Sequence, residues 1–160
     1  MAVRIQVEDF DVSTEIAALS AGANDTGAVV TFTGLVRGSS EGRDLKSMTL
    51  EHYPGMTETE LEAIEAEARA RWPLQGCLIV HRVGELKPGD RIVLVVTASP
   101  HRQAAFQAAE FLMDYLKTRA PFWKKETYAG GETRWVEARA SDDVALGRWA
   151  STEAGSAPVK

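Results

Sequence analysis

Cysteine is nearly missing from this 160-residue chain, with Cys77 the only one. An intrachain disulfide and a thiolate metal cluster are thereby excluded, and a reducing compartment fits such usage. Histidine is also scarce. His52, His81 and His101 are scattered without metal-ligand spacing, so no metal site and no cofactor are expected. No apolar run is long enough to span a bilayer, residues 92–98 being the most apolar stretch. The first ten residues carry Arg4, Glu8 and Asp9 and have no apolar centre, which argues against a secretory signal. Positive charge is short overall: 18 Lys and Arg face 23 Asp and Glu, a formal net charge of -5. That balance disfavours a general nucleic-acid binder but leaves room for a small anionic substrate held by a few cations. GxGxxG, P-loop and GxSxG patterns are absent. A soluble, cytoplasmic protein is the expectation.

What is present reads as one domain over residues 1–149, followed by a small, polar and disordered tail at 150–160. Strands are expected at residues 3–7, 27–36 (with a bulge near Gly34), 45–53, 76–83 and 91–98. A closing hairpin is expected at 122–128 and 134–139, around Gly130 and Gly131. Three helices are expected. The first is short and capped by Ser13. In the second, Thr57 and Glu60 form a capping box ahead of a Leu61, Ile64, Ala68, Trp72 stripe. The third is long, capped by Ser99 with Pro100 at its first position. Strand runs broken by helices without regular alternation make the fold class α+β.

The stretch DYLKTRAPFWKKE at 114–126 concentrates Lys117, Arg119, Lys124 and Lys125 in an acidic chain, which calls for a local reason. His101 and Arg102 fall in the first turn of the third helix, where the macrodipole favours anions over cations. Either they bind an anion such as phosphate or they reach into solvent. Lys117 in the last turn complements the dipole even without a further role. Lys124 and Lys125 are adjacent in a strand, so at most one faces a pocket. Cys77 reads as an inert buried thiol, His52 and His81 as satisfied structural histidines, and Phe122, Trp123, Trp72 and Trp135 as packing residues.

Read together, TFTGLVR (31–37), LEHYPGM (50–56), HRVGEL (81–86), the His101–Arg102 pair, MDYLKTRAPFWKKE (113–126) and RWVEAR (134–139) resemble the MoaE family, the catalytic large subunits of molybdopterin synthase. The resemblance runs in order over about residues 27–140, and the block after Met113 is its most specific part. Leu35 stands where some members have lysine, and Pro100 where alanine is common.

The resemblance implies an α/β-hammerhead with an additional antiparallel β-sheet. It also implies a central homodimer with a ubiquitin-like small subunit at each outer end, making a heterotetramer. The implied reaction converts cyclic pyranopterin monophosphate (precursor Z) to molybdopterin. Its two sulfurs come from the thiocarboxylate at the small subunit's Gly-Gly C-terminus. Carried over by position, Lys117 and Lys124 are the catalytic residues, with Lys117 acting as acid/base or as a transient covalent anchor. Arg37, His101, Arg102, Lys117, Lys124 and Lys125 make the substrate site, and Arg139 reaches towards a neighbouring protomer. A binding module that captures a ubiquitin-like tail without chemistry, or another phosphate-handling enzyme, are the competing readings. Retention of both lysines with His101 and Arg102 favours the synthase.

Overall fold

The computed structural model describes residues 3–22, 24–136 and 140–150. In chain order the elements are β1 (Val3–Gln6), α1 (Val12–Ser20), β2 (Ala28–Leu35), β3 (Ser39–Ser40), β4 (Arg43–His52), α2 (Met56–Arg71), β5 (Gly76–Arg82), β6 (Gly84–Leu86), β7 (Arg91–Ser99), α3 (Arg102–Thr118), β8 (Phe122–Tyr128), β9 (Thr133–Val136) and α4 (Ala140–Ala150).

The near-continuous apolar runs of β5 and β7 demand cover on both faces, and they receive it. Cys77, Ile79, Val93 and Val95 point to one side, into a core built with Leu61, Ile64 and Ala68 of α2 and Ala108, Phe111 and Leu112 of α3. Leu78, Val80, Leu94 and Val96 point to the other, where Phe10 and the α1 residues Val12 and Leu19 cover them. These strands form the centre of a four-stranded sheet ordered β1-β5-β7-β2, antiparallel except for the parallel β1–β5 pair. A second antiparallel sheet runs β3-β4-β8-β9, with β6 pairing β4. Val36, Leu50 and Leu86 form a small buried cluster between the two sheets. The result is the expected α+β architecture, with the two-strand β8–β9 hairpin and a bulge at Gly34/Leu35 where the sequence placed them; residues 137–139 of the expected second hairpin strand lie outside the described residues.

Helix starts depart from expectation. Asp11, not Ser13, caps α1, its Oδ1 accepting from the Thr14 N–H at 3.1 Å. At α2, Gly55 takes a positive φ of 87° and turns the chain early, so Thr57 falls inside the helix. Glu58, rather than Glu60, reaches back to the Gly55 N–H at 2.8 Å, while the Thr57 hydroxyl donates to the Tyr53 carbonyl at 2.8 Å. Ser99 completes β7 instead of capping α3, with its Oγ donating to the Pro73 carbonyl at 3.2 Å. The α3 N-cap is His101, which makes no side-chain capping bond. A Cβ on Gly27 would meet the Pro100 carbonyl oxygen at 2.2 Å, so glycine there lets the start of β2 pack against the entry to α3.

No apolar stripe marks helix α4 in the sequence; among its described side chains Trp149 is the buried one, with Leu146 partly buried against the same core. That ring packs edge-on against Trp72 (5.6 Å between centroids) and Phe111 (5.4 Å), and its Nε1–H donates to Asp114 Oδ2 at 2.6 Å. Of the expected tail at 150–160, Ala150 closes α4 and residues 151–160 lie outside the described residues. Trp123 and Trp135 are about half exposed rather than buried. Both project from the outer face of the second sheet, which no helix covers among the described residues. Truncating Trp149 to Ala should cost about 3–5 kcal/mol, measured as the loss of urea-unfolding free energy. An unchanged midpoint would show that α4 does not brace the core.

Candidate active site

Three cations from three separate segments meet on one cavity of about 390 Å³. Arg37 follows β2, Lys117 ends α3 and Lys124 lies in β8; Phe32, Gly34, Leu35, His81, Ile92 and Met113 are among the other lining residues. Each cation is placed by a local structural feature. Val36 is clamped by hydrogen bonds from its N–H to the Asp90 carbonyl (2.9 Å) and from the Gly89 N–H to its own carbonyl (2.8 Å), which fixes the residue before Arg37. Lys117 sits one residue past Leu116, whose burial sets the rotation of the last helical turn. Lys124 pairs with Leu50 across the sheet, and alternation sends it to the inner face with Phe122. At Gly34 a Cβ would approach Val93 Cγ1 to 2.9 Å, so this glycine keeps the cavity wall open beside the bulge.

The floor of the cavity is more unusual. His81 of β5 is only 6% exposed and stacks on Phe122 at 3.8 Å between ring centroids and 16° between planes. Its Nδ1 lies 2.9 Å from the Arg82 carbonyl oxygen. Sequence reasoning treated this histidine as structural; its place in HRVGEL gave no sign that β5 would deliver it to the same cavity as the lysines.

The other candidates fall elsewhere. His101 and Arg102 line a separate open depression with Gly27, Pro100, Gln103 and Phe106, at the opposite end of α3 from Lys117. Fifteen residues of helical rise, roughly 22 Å, separate Arg102 from Lys117. Lys125 projects to the outer face, with its Nζ 5.8 Å from the centre of the Trp135 ring, as strand alternation requires. Arg119 is tied down by Glu67 Oε1 at 2.8 Å and Glu60 Oε1 at 3.4 Å, so its charge is directed at α2. Arg139 lies outside the described residues. Cys77 is buried, and that burial pushes its thiol up to about 12, which leaves it protonated and unreactive. Among the described residues no group of three or more His, Cys, Asp or Glu is arranged to hold a metal ion.

Comparison with known proteins gives this arrangement a lineage. The family model described as MoaE protein matches residues 5–119. The chain belongs to the MoaE family. It is 60% identical over 151 residues to a molybdopterin synthase catalytic subunit of Mesorhizobium japonicum, with 94% of each chain covered. The solved MoaE protein of Burkholderia ambifaria superposes with a TM-score of 0.80 at 55% identity, covering 94% of this chain and 99% of the other. A more distant structure shares the fold at 20% identity and a TM-score of 0.69, covering 88% of this chain and 92% of the other. It is the complex of subunits 1 and 2 of molybdopterin-converting factor from Helicobacter pylori.

His81 gives the site a pH signature. Burial is the main force that pushes its pKa down to about 3; the bond to the Arg82 carbonyl opposes this, and the charges of Lys124, Lys117 and His52 add to the depression. The unfolded ring titrates near 6.5, so the unfolded chain takes up a proton that the folded chain refuses. This contribution to stability is therefore complete above about pH 6.5 and is lost progressively as the pH falls towards 3. The urea midpoint should drop between about pH 7 and pH 4.5, where most carboxylates remain ionised, and His81→Phe should flatten that drop. An equal slope in both proteins would show that His81 titrates normally in the fold.

Proposed function

We propose that this chain is the catalytic subunit of a molybdopterin synthase, converting cyclic pyranopterin monophosphate to molybdopterin. The observation that carries this reading is the convergence of Lys117, Lys124 and Arg37 on one cavity of small-ligand size in a chain whose net charge is -5. The sulfur is delivered by the C-terminal thiocarboxylate of a ubiquitin-like small subunit, so the site needs no nucleophilic thiol of its own. The inert Cys77 is consistent with that division of labour.

Substrate phosphate and partner thiocarboxylate are both anions, and the cations offer charge-assisted hydrogen bonds to each. As sulfur adds and the cyclic phosphate opens, negative charge develops that pre-placed lysines stabilise without reorganising. Lys117, exposed at a helix end, is the residue accessible to the partner's terminal carbonyl, where it serves as acid/base or as a transient covalent anchor. Lys124, held in a strand, orients and neutralises the substrate.

His101 and Arg102 join this chemistry only if a second copy supplies them, because α3 keeps them far from their own Lys117. Support for such a central dimer comes from β2, an edge strand carrying the exposed apolar side chains Val29, Phe32 and Leu35, the last two of them lining the cavity. Two small subunits at the outer ends then complete a heterotetramer working in the cytoplasm.

The test combines the protein, a thiocarboxylated small partner and the cyclic pterin, and assays the dithiolene product. Lys117→Ala should lower turnover by about a hundredfold or more while partner affinity stays within about threefold of wild type. Normal turnover by that variant would remove Lys117 from the chemistry. Partner binding with no product from the wild-type protein would mark a tail-binding module instead.

A further inference from the structure

His81 lines the same cavity as the three cations but offers a ligand the opposite kind of hydrogen bond. A carbonyl oxygen only accepts, so the 2.9 Å contact to Arg82 puts the ring proton on Nδ1. Nε2 of the neutral ring then carries a lone pair. No described residue bonds Nε2, and it is not among the sealed, partnerless buried atoms, of which the described residues show only Glu60 Oε2. It therefore opens onto the cavity that the ring lines. The stack on Phe122 and the bond to Arg82 together fix the ring plane, so the lone pair has a set direction.

Arg37, Lys117 and Lys124 can only donate when charged, so they suit phosphate and thiocarboxylate. They offer nothing to a ligand N–H. Apart from the Thr33 hydroxyl and the weakly accepting thioether of Met113, His81 is the lining side chain that can accept one. The charged or titratable groups around it are Lys124 of β8, Lys117 of α3, His52 of β4 and Arg37 after β2. The Arg82 side chain is turned away, towards the carbonyls of Val7 and Arg91.

We propose that His81 is a substrate-orienting residue whose Nε2 accepts a hydrogen bond from a ring N–H or amino group of a reduced nitrogen heterocycle. The donor edge of the heterocycle lies against β5, and its anionic group faces Arg37, Lys117 and Lys124. This deepens the synthase reading and rests on it, since the substrate there is a reduced pterin bearing a phosphate. His81 acts by remaining neutral: with its pKa near 3 it is a fixed acceptor and carries no proton through the reaction.

The variants separate the acceptor from the packing. His81→Phe keeps a ring for the stack and removes the acceptor, whereas His81→Gln places an amide oxygen near the Nε2 position. The expected result for His81→Phe is a rise of about tenfold in both Kd and KM for cyclic pyranopterin monophosphate. Affinity for the small subunit and the pH profile of kcat stay as in wild type, and His81→Gln returns KM to within about threefold. Should His81→Phe not fold, His81→Asn retains an amide near Nδ1, leaves the Nε2 position empty and carries the same expectation.

Kd and KM within about twofold of wild type in a folded acceptor-less variant would overturn the assignment. So would the loss of an ionisation from the pH profile, which would make His81 a proton carrier. An unaffected variant beside an active wild type removes only the role of His81; a wild-type protein that forms no dithiolene removes the synthase reading itself.

Discussion

The burial of β5 and β7 on both faces is the constraint from which the rest of the architecture follows. Alternation splits their apolar side chains between a helix-covered side and an α1-covered side, so neither strand can be shifted by one residue without turning a core face inside out. That register also decides where β5 ends. Its last inward polar residue, His81, emerges where the first sheet meets the second, and there Phe122 of β8 stacks on it. The cavity is thus the seam between the two sheets, roofed by the end of α3. Core packing fixes its strand and helix walls, and the Gly89–Asp90 turn, bonded to Val36, fixes the approach to Arg37.

Helix α3 distributes the charge. Its N-terminus brings His101 and Arg102 to one surface, and its C-terminus brings Lys117 to another, with a buried face of Ala105, Ala108, Phe111, Leu112 and Tyr115 locking the rotation between them. A straight helix of this length cannot bring its two ends into one small-molecule site. The depression beside His101 and Arg102 and the cavity beside Lys117 are therefore physically distinct within one chain. Arg119, immediately beyond the helix, shows the contrast with Lys117. Two α2 carboxylates hold its guanidinium, so it links helix to helix, whereas Lys117 is turned to the cavity.

Periodicity made most of this legible in the residues. The stripe of α2, the apolar runs of β5 and β7 and the opposite faces of Lys124 and Lys125 follow from side-chain spacing that any reader of the chain can count, and the bulge follows from Gly34 inside a β-branched strand. Helix starts were less legible, because Gly55 and Asp11 compete locally with equally plausible caps and only the turn geometry decides between them. Trp135 reads as a core residue by size alone, but it sits on an edge strand and is about half exposed, on an outer face that no helix covers among the described residues. The union of Arg37, Lys117 and Lys124 was reached through the family blocks, since spacing says nothing about which sheet seam three distant segments will share. The role of His81 was hidden for the same reason. Its neighbours in sequence are the apolar Val80 and an Arg82 turned towards the carbonyls of Val7 and Arg91, and the lysines that give it meaning arrive from α3 and β8.

A cavity lined only by cations would bind any small anion and would hold a phosphate in many orientations, because point charges attract strongly but orient weakly. Orientation needs a group of the opposite hydrogen-bonding sense, fixed in direction, that does not cancel the positive field. A carboxylate would accept the same bond but would pair with the lysines and remove the charge they supply. A protonated histidine would donate, duplicating them. A neutral imidazole avoids both faults, and burial together with the charges of Lys124 and Lys117 favours the neutral ring, while the stack on Phe122 holds its plane. The stability lost on acidification is thus the thermodynamic counterpart of an uncharged acceptor held at the floor of a cationic site.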